Sequence, residues 1–130
     1  MKTFVFLCTA LAIVCLPDAA SAHDAAQSKR HTACMKKSGD TTAGMIECID
    51  TEFLRQDARL NKAYQALMAN LADPRREKLQ QAQRIWLKYR DANCDFYADP
   101  DGGTIAQVSA NNCMLNTTAE RARELESLRQ

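Results

Sequence analysis

Apolar residues recur at helical spacing along most of the chain, and no stretch shows the alternation that is typical of a strand. The longest such pattern follows Ser38-Gly39-Asp40, and Thr41 or Thr42 can cap its first turn. Its apolar face consists of Met45, Ile49, Phe53, Leu60, Tyr64, Leu67 and Leu71. A shorter segment near Ala25 to Lys37 precedes it. The pattern predicts a short helix followed by a long amphipathic one.

Two more helices are predicted in the second half of the chain. Asp73-Pro74 ends the long helix, and Pro74 suits the first turn of a third helix with Asp73 as its cap. This third helix continues to about Tyr97. After a loop, Thr104 opens a last helix, whose apolar residues are Ile105, Val108, Leu115, Ala119, Ala122, Leu125 and Leu128. The predicted fold class is all-α, a small disulfide-tied bundle of three main helices plus a short N-terminal helix.

The tight link between the second and third helices predicts that they lie antiparallel. Residues at equal distances from that link then come level with one another: Asp57 with Arg90, Asn61 with Trp86, and Tyr64 with Gln83. We expect Asp57 and Arg90 to form a partly buried ion pair, with the amides satisfying backbone or indole groups. The predicted structural polar seam consists of Asp57, Asn61, Gln83, Trp86 and Arg90.

The N-terminus reads as an export signal. Lys2 is followed by an apolar run from Phe4 to Leu16, a break at Pro17, and the small residues Ala20-Ser21-Ala22. The run is shorter than the roughly 20 residues that a membrane-spanning helix needs. Residues 1–22 are therefore predicted to be a signal peptide and 23–130 a single helical domain. We expect this domain to be periplasmic or secreted, with no membrane anchor after cleavage.

Cleavage would remove Cys8 and Cys15 and leave four cysteines, namely Cys34, Cys48, Cys94 and Cys113. An even number in an oxidising compartment predicts two disulfides. Helical positions favour pairing Cys34 with Cys48 and Cys94 with Cys113, while the other two connectivities stay open. These thiols are too far apart in sequence for a structural zinc site. No metal and no cofactor is predicted.

Composition gives little sign of catalysis or of nucleic-acid binding. The chain has 17 Lys and Arg against 16 Asp and Glu, so a strongly basic face is not indicated. The two histidines, His23 and His31, lie in the N-terminal stretch and are expected to be exposed, away from any nucleophile. We predict no catalytic residue and a protein that is not an enzyme. A small hydrolase that uses paired carboxylates is a lesser alternative.

The loop Asp99-Pro100-Asp101-Gly102-Gly103 resembles the start of a calcium-binding loop. Counting on from Asp99, however, places Ala110 where such a loop needs a bidentate glutamate. These residue types also suit a turn that caps the next helix. The sharper hypothesis is that an acidic, protruding loop enters the cleft of a basic protein. The candidate partner-binding residues are Asp99, Asp101, Gly102 and Gly103.

The order of these motifs identifies a family. It runs Cys34, Cys48, Asp57-x-x-Leu60-Asn61-x-x-Tyr64, Leu79-x-x-Ala82-Gln83-x-x-Trp86-x-x-Tyr89-Arg90-Asp91-x-x-Cys94, Gly102-Gly103-Thr104, Cys113 and Thr118-x-x-Arg121-x-x-Glu124-Leu125. This order resembles the LprI-type lysozyme-inhibitor domain of bacterial envelope proteins. The resemblance implies a small exported helical domain that inhibits lysozyme or, in other relatives, gives immunity against a peptidoglycan-targeting toxin.

The predicted function is therefore a periplasmic binding protein that occludes the cleft of a peptidoglycan-active enzyme. The partner would be lysozyme or a competitor's cell-wall-targeting toxin. The alternative function is a non-inhibitory envelope module, structural or stress-responsive, that associates with another envelope component.

Overall fold

A computed structural model describes residues 28–129, which form four helices joined by short turns. In chain order they are α1 (Lys29–Lys37), α2 (Thr42–Ala69), α3 (Asp73–Asp95) and α4 (Gly103–Ser127). No strand occurs in this part of the chain, so the all-α fold class is confirmed. None of its helices is both long enough and apolar enough to cross a membrane. The predicted signal peptide, Ala25 and His23 lie outside the described residues.

Side-chain caps begin the first two helices. The Ser28 hydroxyl accepts a hydrogen bond from the His31 backbone N–H at 3.1 Å. Thr41, one of the two predicted caps of α2, accepts from the Gly44 N–H at 3.3 Å. The expected cap at Asp73 is wrong, because Ala72 holds the N-cap position and Asp73 is already helical. Its carboxylate pairs instead with Arg76, at 2.8 Å.

The later helix ends differ from the predicted ones by a few residues. Helix α2 ends at Ala69 rather than at Asp73, and α3 ends at Asp95 rather than near Tyr97. Helix α4 begins at Gly103 instead of Thr104. These shifts reflect backbone hydrogen bonding at the turns, which residue types alone do not locate to within a residue.

Helices α2 and α4 lie side by side, run in the same direction and make the core of the molecule. The Thr42 and Thr104 hydroxyls, near the two helix starts, are 3.2 Å apart. Further along, Arg59 Nε donates to Glu126 Oε1 at 2.8 Å. Between these contacts lie two apolar clusters, one of Ile49, Val108 and Leu115 and the other of Leu60, Ala63, Leu67, Ala122 and Leu125. Helix α3 packs mainly on α4, and its Leu79 and Trp86 contact the second cluster.

The predicted ion pair between Asp57 and Arg90 is therefore wrong. The Arg90 guanidinium donates to Asp91 at 2.8 Å and to the Thr118 hydroxyl at 3.3 Å. Asp57 accepts from Asn61, one turn along its own helix, at 3.0 Å. The counting argument assumed that α3 lies mainly against α2, whereas α3 packs mainly on α4.

Three members of the predicted seam do come together, but against α4. Gln83 accepts from Arg121 Nε at 3.0 Å and is only 6% exposed. The guanidiniums of Arg90 and Arg121 lie over the Trp86 ring, at 5.3 and 5.7 Å from its centroid. The positively charged guanidiniums are attracted to the face of the Trp86 ring. This part of the contact between α3 and α4 is therefore cationic and aromatic rather than aliphatic.

Two disulfides tie the outer elements to this core. Cys34–Cys48 links α1 to α2, and Cys94–Cys113 links the end of α3 to α4. Both pairings are the favoured ones, so that prediction is confirmed. Each bridge stabilises the fold mainly by restricting the unfolded chain.

Docking of α1 on α2 buries two polar side chains. His31 was expected to be exposed, but it is 3% exposed, and its Nδ1 lies 3.2 Å from the Cys48 carbonyl oxygen. Because a carbonyl oxygen can only accept, Nδ1 carries the proton. Glu52, fully buried, accepts from the Ser28 hydroxyl, Gln56 and Arg55 at 2.7, 2.9 and 2.7 Å. Burial alone raises the pKa of Glu52, but these hydrogen bonds outweigh it and hold the pKa below 4.5.

The buried end of α4 gives a direct test of the core. Leu125 is 0% exposed and Leu128, one turn later, is 55% exposed. We expect Leu125→Ala to lower the free energy of unfolding by about 2–5 kcal/mol, because it removes methyl groups and leaves a cavity. Leu128→Ala should change it by less than about 0.5 kcal/mol. Urea unfolding followed by circular dichroism measures both, and equal losses would contradict this core.

The lowered pKa of Glu52 predicts a pH-dependent contribution to stability. Its carboxylate should stabilise the fold fully above pH 4.5, the unfolded value, and progressively less as the pH falls through the folded pKa. Glu52→Gln should therefore cost about 1–3 kcal/mol at neutral pH. The difference from wild type should shrink below pH 4.5. Glu47→Gln, at an exposed position of the same helix, is the control and should show no such trend.

Candidate partner-binding loop

The turn between α3 and α4 is closed by its own hydrogen bonds. Asp99 Oδ1 accepts from the Asp101 backbone N–H at 2.9 Å, and the Asp99 carbonyl accepts from the Gly102 N–H at 3.1 Å. Both aspartates are exposed to solvent. The loop therefore presents two carboxylates on a backbone that is already ordered.

Two glycines allow the chain to turn sharply from this loop into α4. Gly103 has φ of +62°, a left-handed conformation that costs other residues free energy. At Gly102 an added Cβ would lie 2.8 Å from the Ala106 Cβ. Both glycines of the predicted site are thus explained by backbone geometry, and neither supplies a binding group of its own.

A disulfide joins the end of α3, just before the loop, to the middle of α4. Cys94 and Cys113, with Cα atoms 5.4 Å apart, join the helix that enters the loop to the helix that leaves it. Asn93 donates to the sulfur of Cys113 at 3.4 Å. The loop is therefore fixed to rigid elements at both ends.

Exposed apolar side chains flank the carboxylates. Phe96 is 83% exposed and Ile105 is 61% exposed, and both line a shallow groove of about 500 Å³ together with Tyr97 and Pro100. The Phe96 and Tyr97 rings meet edge to face, with centroids 5.7 Å apart. Ile105 was predicted on the apolar face of α4, and the structure places it on the groove side instead. An aromatic and aliphatic surface beside two carboxylates is suited to protein contact.

The sequence carried a signal for this surface in its charge distribution. The segment from Asp91 to Glu120 contains no lysine, arginine or histidine. Its acidic residues are Asp91, Asp95, Asp99, Asp101 and Glu120. Asp91 is paired with Arg90, so the acidic character is concentrated at and before the loop. Such a surface favours a cationic partner.

The loop offers acceptors and apolar contacts rather than reactive groups. Within residues 28–129 no group of three His, Cys, Asp or Glu side chains is placed to hold a metal ion. Of the predicted polar seam, Gln83, Trp86 and Arg90 lie inside the bundle and away from this loop's surface groove, while Asn61 is exposed on α2. The structure thus separates the seam from the loop.

Fold and loop together define a small, disulfide-linked helical domain with an acidic, exposed loop. A family model described as lysozyme inhibitor LprI matches residues 34–125, and the chain belongs to this family of inhibitors. A relative from Rhizobium meliloti (strain 1021), described as an uncharacterized protein, is 28% identical over 95 residues. That match covers 62% of this chain and 68% of the relative. No solved structure gives a significant match.

The left-handed backbone at Gly103 gives a test of the loop's geometry. We expect Gly103→Ala to lower the free energy of unfolding by about 1–2 kcal/mol, because a Cβ is strained at that φ. Gln107→Ala, at an exposed position one turn into α4, should leave stability nearly unchanged. Urea unfolding of the oxidised protein measures both. Equal stability of the two variants would show that the loop does not require this conformation.

Proposed function

We propose that this protein is an exported inhibitor of a peptidoglycan-active enzyme. Its target is a lysozyme or a competitor's cell-wall-targeting toxin, against which it acts as an immunity protein. The Asp99 to Gly103 loop enters the target's cleft and blocks access, without chemistry of its own. Membership of the LprI family supports the inhibitory function. The exposed position of the loop supports its role as the segment that contacts the target.

The observation that carries this proposal is the preformed acidic loop. Its turn is closed by hydrogen bonds from Asp101 and Gly102, and Cys94–Cys113 joins the two helices on either side of it. A segment that is ordered before binding loses little conformational entropy on binding, so more of the contact energy remains as affinity. This is the property that an inhibitory loop needs.

The negative charge of the loop supports a peptidoglycan-active enzyme as the target. Peptidoglycan carries carboxylates on its peptide stems, so an enzyme that binds it gains from cationic side chains around its cleft. Asp99 and Asp101 match such side chains, and Phe96 and Ile105 supply apolar area beside them. The loop thereby competes with the substrate for the same kind of surface.

Two disulfides support an oxidising location. Such bonds persist in the periplasm and outside the cell and are rare in the cytosol. Together with the predicted signal peptide at residues 1–22, they favour export to the periplasm or beyond. A protein in that location meets lysozymes and secreted toxins directly.

Neutralising the loop tests this function. We expect Asp99→Asn with Asp101→Asn to weaken inhibition of lysozyme by about tenfold, since each charge pair at an interface rim contributes up to about 1 kcal/mol. Asparagine at 99 keeps the acceptor that closes the turn. The measurement is the inhibition constant in a turbidity assay of c-type lysozyme on cell walls.

The matched control is Glu47→Gln with Asp50→Asn, which removes the same charge from exposed positions of α2. This variant should inhibit like wild type. If the loop variant inhibits lysozyme as strongly as wild type does, the loop is not the inhibitory segment, although the protein is still an inhibitor. If the oxidised wild-type protein does not protect cell walls from lysozyme, lysozyme is not the target. A toxin target or the non-inhibitory envelope module is then favoured.

A further inference from the structure

The outward face of α3 carries an apolar stripe that the core does not explain and that shares only Phe96 with the groove beside the loop. Ile85, Tyr89, Ala92 and Phe96 follow one another at intervals of four, three and four residues, which places them in one line along a helix. Ile85, Tyr89 and Phe96 are 61%, 58% and 83% exposed. We refer to these four residues as the α3 stripe. It is a continuous apolar line on the solvent side of the helix.

The opposite side of α3 is already occupied. Gln83, Arg90 and Cys94 are buried there, at 6%, 9% and 2% exposed, through contacts with α4. The stripe therefore cannot turn inward by rotating the helix. Its apolar surface remains available for contact with another molecule.

Opposite charges stand on one flank of the stripe. Lys88 directly precedes Tyr89, and Asp95 directly precedes Phe96, so the two charged residues are seven positions apart and share a helical flank. Both side chains are exposed. The flank is thus cationic near the middle of α3 and anionic near its end.

We propose that the α3 stripe is the contact surface of a homodimer, in which α3 packs antiparallel on α3 of a second copy about a twofold axis. Ile85 then faces Phe96 of the second copy, and Tyr89 faces its Ala92. Lys88 comes beside Asp95 of the second copy. By symmetry each of these contacts occurs twice.

Self-complementarity is the reason for choosing a second copy as the partner. A twofold interface needs a surface that matches itself after reversal. Reversing the stripe pairs its largest side chains with smaller ones and its cation with its anion. Charged residues at flanking positions pair across two packed helices, and Lys88 and Asp95 occupy equivalent flanking positions on either side of the twofold axis.

A parallel pairing does not share these advantages. It would stack Tyr89 on Tyr89 and Phe96 on Phe96 while leaving Ala92 against Ala92, so the layers would alternate between crowded and empty. Uneven layers leave cavities, which weaken an apolar contact. It would also leave Lys88 and Asp95 without each other across the interface. The antiparallel arrangement is therefore the one that the residues favour.

The stripe is short, so the dimer should be weak and reversible. Stable interfaces bury about 1,200–2,000 Å² in total, and four residues per copy fall at or below the low end of that range. Sedimentation equilibrium of the oxidised protein over a wide concentration range is the measurement. We expect a monomer–dimer equilibrium whose dissociation constant is read directly.

Charge exchange tests the orientation. Lys88→Glu alone, or Asp95→Lys alone, places like charges together twice and should weaken dimerisation by about tenfold. The double variant restores opposite charges and should return the dissociation constant to within about threefold of wild type. Recovery in the double variant is not expected unless these two positions meet across the interface.

Tyr89→Lys tests the apolar contact and should leave the protein monomeric throughout the concentration range. Leu54→Lys is the control, because Leu54 is 67% exposed on α2 and lies outside the stripe. It should dimerise like wild type. Circular dichroism and thermal unfolding establish that each variant is folded.

Two results would overturn the proposal. One is wild-type protein that stays monomeric at every concentration, and the other is a dimer whose dissociation constant is unchanged by Tyr89→Lys and by both single charge variants. Neither measurement involves lysozyme, so the dimer and the inhibitory function are tested separately.

Discussion

Packing of α2 on α4 is the constraint from which the rest of the structure follows. Ile49 and Leu60 on one helix meet Leu115 and Leu125 on the other, and these side chains are almost fully buried. Since α2 and α4 run in the same direction, α3 must carry the chain back along the bundle. Helix α3 contacts α4 through a polar and aromatic face. For this reason Gln83 and Arg90 are buried while Ile85, on the opposite face, is exposed.

The two disulfides fasten elements that the core alone would hold weakly. Helix α1 has nine residues, too few to be stable alone in water, and Cys34–Cys48 ties it where His31 and Glu52 are covered. Cys94–Cys113 instead closes the chain around a surface loop. One bridge thus completes the buried polar structure at α1, and the other keeps an exposed segment in place.

Helices, turns and disulfide pairing were predictable because each depends on nearby sequence. Apolar spacing, Thr41 and Asp73-Pro74 indicate where helices begin and end, to within a few residues. Helix packing depends on distant residues, so counting outward from a turn paired Asp57 with Arg90 wrongly. Burial of Glu52 was missed for the same reason, because it depends on how α1 docks.

Several residues of the family pattern lie in the interior of the bundle. Leu60, Gln83, Arg90 and Cys94, all within the family pattern, are buried. A buried side chain cannot touch a partner, so this part of the pattern specifies the fold and not a function. Any contact with a partner would have to be made by exposed side chains, of which Asp99 is one. Exposed positions can therefore change without disturbing the packing of the helices that carry them.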